Sequence, residues 1–198
     1  IRTESLALPE GTLEGYLASE PGLEPFRRTI ERMLEEKAHI LGAETEVALA
    51  ALGEVLDAPG MIYNRSKASD LGFDSVPDKH GNVLPMSFPG YEGRYERSAD
   101  TVLRRNAFTS FTKGLKAYKN TYAAAWATEV KKNVVLARLR GYRSATAMLL
   151  ARQEVDEDVY NRLHDIILAE LAPHMRKYAE LRKQILGLDK LLYCDLEA

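Results

Sequence analysis

Hydrolysis of a peptide or ester bond needs histidine, cysteine, serine or carboxylates at particular spacings, and this chain offers four histidines and a single cysteine. The commonest zinc hydrolase helix sets two His at i and i+4 so that both imidazoles face one metal, with a general-base Glu directly after the first. Here His39 precedes Ile40, His80 precedes Gly81, His164 precedes Asp165 and His174 precedes Met175, so that motif is absent. Glu170 and His174 have the spacing of one helical face, but Pro173 lies between them and the sequence places a helix boundary there. His164 and Asp165 are adjacent, about 100° apart around a helix, and read as a solvated face rather than a catalytic dyad. Cys194 lacks a catalytic signature, and neither a Gly-x-Ser-x-Gly elbow nor a Gly-rich phosphate loop occurs. A buried, small apolar role is expected for this thiol, which has no second cysteine to pair with. No catalytic and no metal-binding residue is therefore expected in the chain.

The elements that would position any site are mostly helical. Leu13, Tyr16 and Leu17 step by three and four, as do Leu23, Phe26, Ile30, Met33 and Leu34. After Gly42, an N-cap candidate, Val47, Leu49, Leu52, Val55 and Leu56 make the next stripe. Pro59 is expected to bend the chain or open a helix running to about Asp70. Phe73, Val76, Val83 and Met86 flank Asp78-Lys79-His80-Gly81-Asn82, which predicts a small β-hairpin near residues 73–87, confined to an edge by Pro77 and Pro85. From Ser98 and Asp100 a stripe of Phe108, Phe111, Leu115, Tyr118, Tyr122, Ala125, Trp126, Val130, Val134 and Leu136 predicts one long central helix, weakened locally at Gly114 and ended by Gly141. A helix over Ser144–Ala151, one capped by Asp156 and one starting near Pro173 complete the chain, with Gly187 closing the last. The fold class is mainly α, multi-helical, in one continuous body.

With 45% apolar residues and a formal net charge of −2, the composition is that of a soluble globular protein and excludes disordered and collagen-like classes. No apolar run approaches the ~20 residues of a membrane span, and Ile1-Arg2-Thr3-Glu4 does not begin a secretory signal, so a cytoplasmic location without membrane contact is expected. The small net charge hides an acid, base, acid order. Residues 101–152 carry 11 Lys/Arg against 1 Asp/Glu, with Tyr118, Tyr122, Trp126 and Tyr142 interleaved, a pattern that resembles a single-strand nucleic-acid surface. The aromatics fall on the apolar stripe and are expected in the core, while the cations are expected to pair with the acidic flanks; no nucleic-acid partner is expected.

The order of local sequences resembles oligoendopeptidase F, of the thimet-oligopeptidase group of zinc peptidases, over nearly the whole chain. The blocks that carry the resemblance are Leu56-Asp57-Ala58-Pro59-Gly60-Met61-Ile62-Tyr63-Asn64, Ala68-Ser69-Asp70-Leu71-Gly72-Phe73, Val134 to Ser144, Val159-Tyr160-Asn161-Arg162-Leu163, Tyr178 to Lys183, Leu186-Gly187-Leu188-Asp189 and Tyr193-Cys194-Asp195-Leu196, in collinear order. The resemblance implies that residues 1–198 are the helical amino-terminal region, preceding a catalytic half whose His-Glu-x-x-His helix and a further Glu hold zinc. It implies metal-activated hydrolysis of short peptides by the intact metalloendopeptidase, this region forming one side of the substrate channel and being inactive alone. None of the zinc-binding roles maps onto a residue here. Arg138, Arg140 and Tyr142 match a family block and are weak candidates for lining the channel, with capping and packing at the helix end as their other duty. The expected partners are the catalytic half and an oligopeptide substrate. The isolated segment is expected to self-associate through Phe108, Phe111, Tyr118, Tyr122 and Trp126. The alternative is a stand-alone helical binding module using the basic 101–152 stretch.

Overall fold

The computed structural model describes residues 8–198, so the start Ile1–Glu4 read for a signal lies outside them. Among the described residues the longer helices are α1 (Thr12–Ser19), α2 (Arg27–Lys37), α3 (Ala43–Ala51), α4 (Gly53–Arg65), α5 (Thr101–Ala117), α6 (Lys119–Leu139), α7 (Ala145–Ala151) and α8 (Glu157–Ile185), with a single helical turn at Phe88–Gly90. Short 3-10 and π turns fill several of the joints, including Pro21–Phe26, Ser66–Asp70 and Tyr193–Asp195.

The hairpin forms where the turn residues place it. Strands β1 (Val76–Pro77) and β2 (Val83–Leu84) pair antiparallel, Val76 with Leu84 and Pro77 with Val83. Gly81 at φ +85° makes the reversal, and the Asp78 carboxylate accepts from the amides of His80 and Asn82 and from the Asn82 side chain. Two strands so short are marginal alone, and α5 supports them. Asn106 Nδ2 donates to the Pro77 carbonyl at 3.0 Å and Ser110 Oγ to the Asp74 carbonyl at 2.7 Å. On the same face Val76, Tyr91, Tyr95, Leu103, Ala107 and Phe111 make the main buried cluster.

Asp100 is the residue that caps α5: its carboxylate accepts from the amides of Val102 and Leu103 and also from Lys79 N at 2.8 Å, tying the hairpin turn to the helix start. Ser98 sits outside the cap, accepting from the Asp100 amide.

The single long central helix is corrected to two, α5 and α6, broken at Tyr118 with φ −100° and ψ 7°. There the Tyr118 amide bonds back three residues to Leu115, and its hydroxyl donates to the Asp70 carbonyl at 2.9 Å. Gly114 does not mark this break. It is where Phe73 and the Gly72 carbonyl approach α5 too closely to admit a Cβ.

Both interior prolines also differ from expectation. Pro59 lies inside α4, which already starts at Gly53, and Pro173 lies inside the 29-residue α8 instead of opening a new helix. A proline amide removes one helical bond, yet the turns on either side keep theirs; at Pro173 the preceding residue is the small Ala172. The cap by Asp156 and the closures at Gly141 and Gly187, both with positive φ, are as expected, while Ser144, read as the first residue of its helix, caps it from outside.

Candidate functional site

The histidines are scattered. His39 Nδ1 lies 2.7 Å from the Arg140 carbonyl, His80 sits in the hairpin turn, and His164 Nδ1 meets the carbonyl of Tyr160 on its own helix. Since α8 is continuous, Glu170 and His174 do share a face one turn apart, but no third ligand joins them: among the described residues no group of three His, Cys, Asp or Glu could hold a metal ion.

Cys194 is buried, as expected, and burial pushes its thiol up. Its neighbour Asp195 is the most enclosed carboxylate described. Arg104 and Asp195 are both fully buried, with Arg104 Nη2 2.7 Å from Oδ1, and Arg105 Nη2 reaches Oδ2 at 2.8 Å. Burial alone would raise this carboxyl, but the bonds from Arg105, the Leu192 amide and Arg104 outweigh it and hold the group below its ordinary range. Arg104 also donates to the Ser98 carbonyl, so the cluster fastens the C-terminal turn to the start of α5. It contributes structure and exposes no reactive atom.

The three residues singled out at the end of α6 separate in role. Arg140 grips Glu46 of α3 with two bonds, 2.7 and 3.0 Å, and donates to the His39 carbonyl at 3.1 Å. That grip, helped by the Leu41 amide, brings Glu46 down to about 2. Tyr142 stacks on the His39 ring with centroids 3.5 Å apart. Arg138, in the last turn, is exposed. Arg140 and Tyr142 thus join the first three helices to α6, and Arg138 alone of the three is a free-standing surface cation among the described residues.

Five of the 11 cations of 101–152 pair with the acidic flanks, Arg104 and Arg105 with Asp195, Lys113 with Asp74, Arg140 with Glu46 and Arg143 with Glu157, while Lys132 pairs with Glu129 inside the stretch. The expectation of core aromatics in the same stretch fails at Trp126, which is 71% exposed at the rim of a groove between α4 and α6. Trp126, Tyr122, Ala125, Pro59, Gly60, Tyr63 and Glu129 line a groove of about 320 Å³ between α4 and α6. Tyr63 and Tyr122 meet edge to face at 5.3 Å, and Ser66 Oγ donates to the Tyr122 hydroxyl at 3.1 Å. The apolar surface expected along the long helix from Phe108 to Trp126 is exposed at Trp126 but not at Phe111. Phe111 is buried against Phe73, Phe88 and Tyr91, whereas α8 has no buried residue and exposes Leu163, Ile166, Ile167, Leu171, Met175 and Tyr178. Only the length of an unbroken α8 makes that face continuous, and the boundary read at Pro173 concealed it.

A mainly helical scaffold with a small hairpin, no reactive cluster among its described residues and one long helix without a buried residue has the character of one part of a larger assembly. Residues 94–197 match the model of peptidase family M3, and residues 4–73 match that of oligopeptidase F; the chain belongs to peptidase family M3. It is 31% identical to oligopeptidase PepF of Bacillus subtilis (strain 168) over 98% of this chain and 28% of that protein. It is 30% identical to the oligoendopeptidase F homolog of Lactococcus lactis subsp. lactis (strain IL1403), again over 98% of this chain and 32% of the relative. The crystal structure of oligoendopeptidase-F from Enterococcus faecium superposes with a TM-score of 0.86 at 31% identity, covering 100% of this chain and 39% of that one. The chain thus spans about 30% of the length of the curated relatives it matches.

Proposed function

We propose that this chain is the amino-terminal part of a zinc metallo-oligopeptidase of the oligoendopeptidase F kind, forming one side of the channel that admits short peptides and inactive in hydrolysis by itself. The observation that carries the reading is α8, a 29-residue helix with no buried side chain, in a chain matching about 30% of the length of its relatives. A helix of that length is stable in a globular protein when its apolar face is covered, and the remaining two thirds of such a peptidase would supply the cover. The described residues do not fit a zinc site, so zinc would be held by the catalytic half and no chemical step is routed through residues here. Arg138 is the channel candidate this reading retains. The reading proposes a cytoplasmic enzyme; no described helix is long and apolar enough to cross a membrane. The binding-module alternative is weakened by the five cations of 101–152 that are already paired with flanking carboxylates.

The test has two arms. Metal analysis after dialysis and a quenched fluorescent peptide assay on the chain should find no stoichiometric zinc and no cleavage. A separately made catalytic half, encoded by a reading frame continuing past Ala198 into a His-Glu-x-x-His helix, should form a heterodimer with it and gain peptidase activity. Tightly held zinc in the chain alone, or a catalytic half indifferent to it, overturns the reading.

A further inference from the structure

The first three helices are joined to the rest of the molecule by polar contacts concentrated on two residues. Residues 8–52, holding α1, α2 and α3, contain one buried side chain, Leu17. Among the contacts that cross from this arm to α6, α7 and beyond are hydrogen bonds, ion pairs and one stacked ring pair. Arg140, at the end of α6, holds Glu46 through two bonds and the His39 carbonyl through a third, while its own carbonyl meets His39 Nδ1. Tyr142 adds the stacked ring on His39. At the second point Glu154 meets Arg28 at 3.0 Å and Arg32 at 3.7 Å. Glu154 is the one described non-glycine residue with positive φ, +57°, in the link between α7 and α8.

Exposed ion pairs of this kind are weak and fade with salt, and Arg28 has substitutes on its own arm, Glu31 at 3.7 Å and Glu35 at 3.4 Å. Leaving Glu154 therefore strands no buried charge. The covalent connection is equally sparing: a single residue, Leu52 at φ −88° and ψ 2°, separates α3 from α4. Hinges are commonly a few element-terminal positions that take up the change in φ and ψ while the helices on either side stay intact.

We propose that residues 8–52 form a hinged arm that pivots at Leu52 and is latched against the body by Arg140 on Glu46 and His39 and by Glu154 on Arg28 and Arg32. The latch has two settings. Closed, Arg140 ties the loop after α2 and the first turn of α3 to the end of α6. Open, Arg28 releases Glu154 and keeps Glu31 and Glu35, the His39 ring leaves Tyr142, and the arm keeps its own helices.

The experiment places spin labels on Glu20→Cys and Lys131→Cys in the full 198-residue chain and measures their distance distribution by pulsed electron resonance, with helix content followed by circular dichroism. The parent pair should give one narrow distribution. Glu46→Gln combined with Glu154→Gln should broaden it and move it to longer distance with helix content unchanged, and about 1 M salt, where the screening length is about 3 Å, should move the parent the same way. The reciprocal exchange Glu46→Arg with Arg140→Glu should restore the narrow form. A distribution that stays narrow in the double Gln variant overturns the latch. Broadening accompanied by loss of helix overturns the hinge, since the arm would then be melting instead of swinging.

Discussion

Replacing Gly114 by Ala sets two effects of known size against each other. In a helix interior the change normally stabilises by about 1 kcal/mol, because Gly has more backbone freedom to lose. At this position the added Cβ would stand 2.6 Å from both Cδ1 and Cε1 of Phe73 and 2.9 Å from the Gly72 carbonyl oxygen. Carbon atoms settle near ~3.5–4.0 Å, so the ring must retreat by about 1 Å. Phe73 is not free to do so, being stacked on Phe111 at 5.5 Å, and the carbonyl belongs to the backbone. Overpacking of this kind costs about 1–3 kcal/mol and a loosened aromatic pair about 0.5–1.5 more, so after the helix gain is subtracted the net loss is about 2 kcal/mol. Urea unfolding followed by circular dichroism reads this as a lower midpoint with an unchanged slope. Gly60→Ala, inside α4 with nothing within 4 Å of the new atom, is the control and should be neutral or stabilising by up to about 1 kcal/mol. If Gly114→Ala unfolds at the same or a higher urea concentration than the parent, the close approach of Phe73 to α5 is wrong.

Asp195→Asn removes the charge facing the fully buried Arg104 and should destabilise by about 3–5 kcal/mol, as broken buried pairs do; a midpoint unchanged in urea would show that the cluster is solvated in solution. Glu46 has its pKa lowered from 4.5 to about 2, so its contribution is fully present above 4.5 and fades as pH falls toward 2. Thermal melts of Glu46→Gln should therefore lack part of the parent's loss of stability in that window, and parallel acid profiles would count against the Arg140 grip. The exposed face of α8 should drive self-association at rising concentration, and Ile167→Glu should shift light-scattering mass back toward the monomer; an unaltered mass would move the contact elsewhere.

Local chemistry was legible in the sequence wherever a short-range rule decides the outcome. The hairpin followed from Asp78, Gly81 and Asn82 because a tight turn is set by neighbours within a few residues. The cap at Asp156 and the closures at Gly141 and Gly187 followed for the same reason. The pairing of 101–152 with its flanks was legible in part: five of its 11 cations meet a flanking carboxylate, and the rest need none where water solvates them. Family membership was legible too, because collinear blocks survive where single motifs are missing.

Tertiary contacts decided the remainder. Pro59 and Pro173 read as boundaries by propensity, yet a lost helical bond is small beside the rest of the helix, and both helices run through. Tyr118 carries no sequence signal for a break; the break places its hydroxyl on Asp70, a contact 48 residues away in sequence. Trp126 lay on the same stripe as buried Phe111, but a stripe fixes only which residues share a helix face. Whether anything covers that face depends on what the other elements bring against it, and among the described residues Trp126 stays 71% exposed and no residue of α8 is buried.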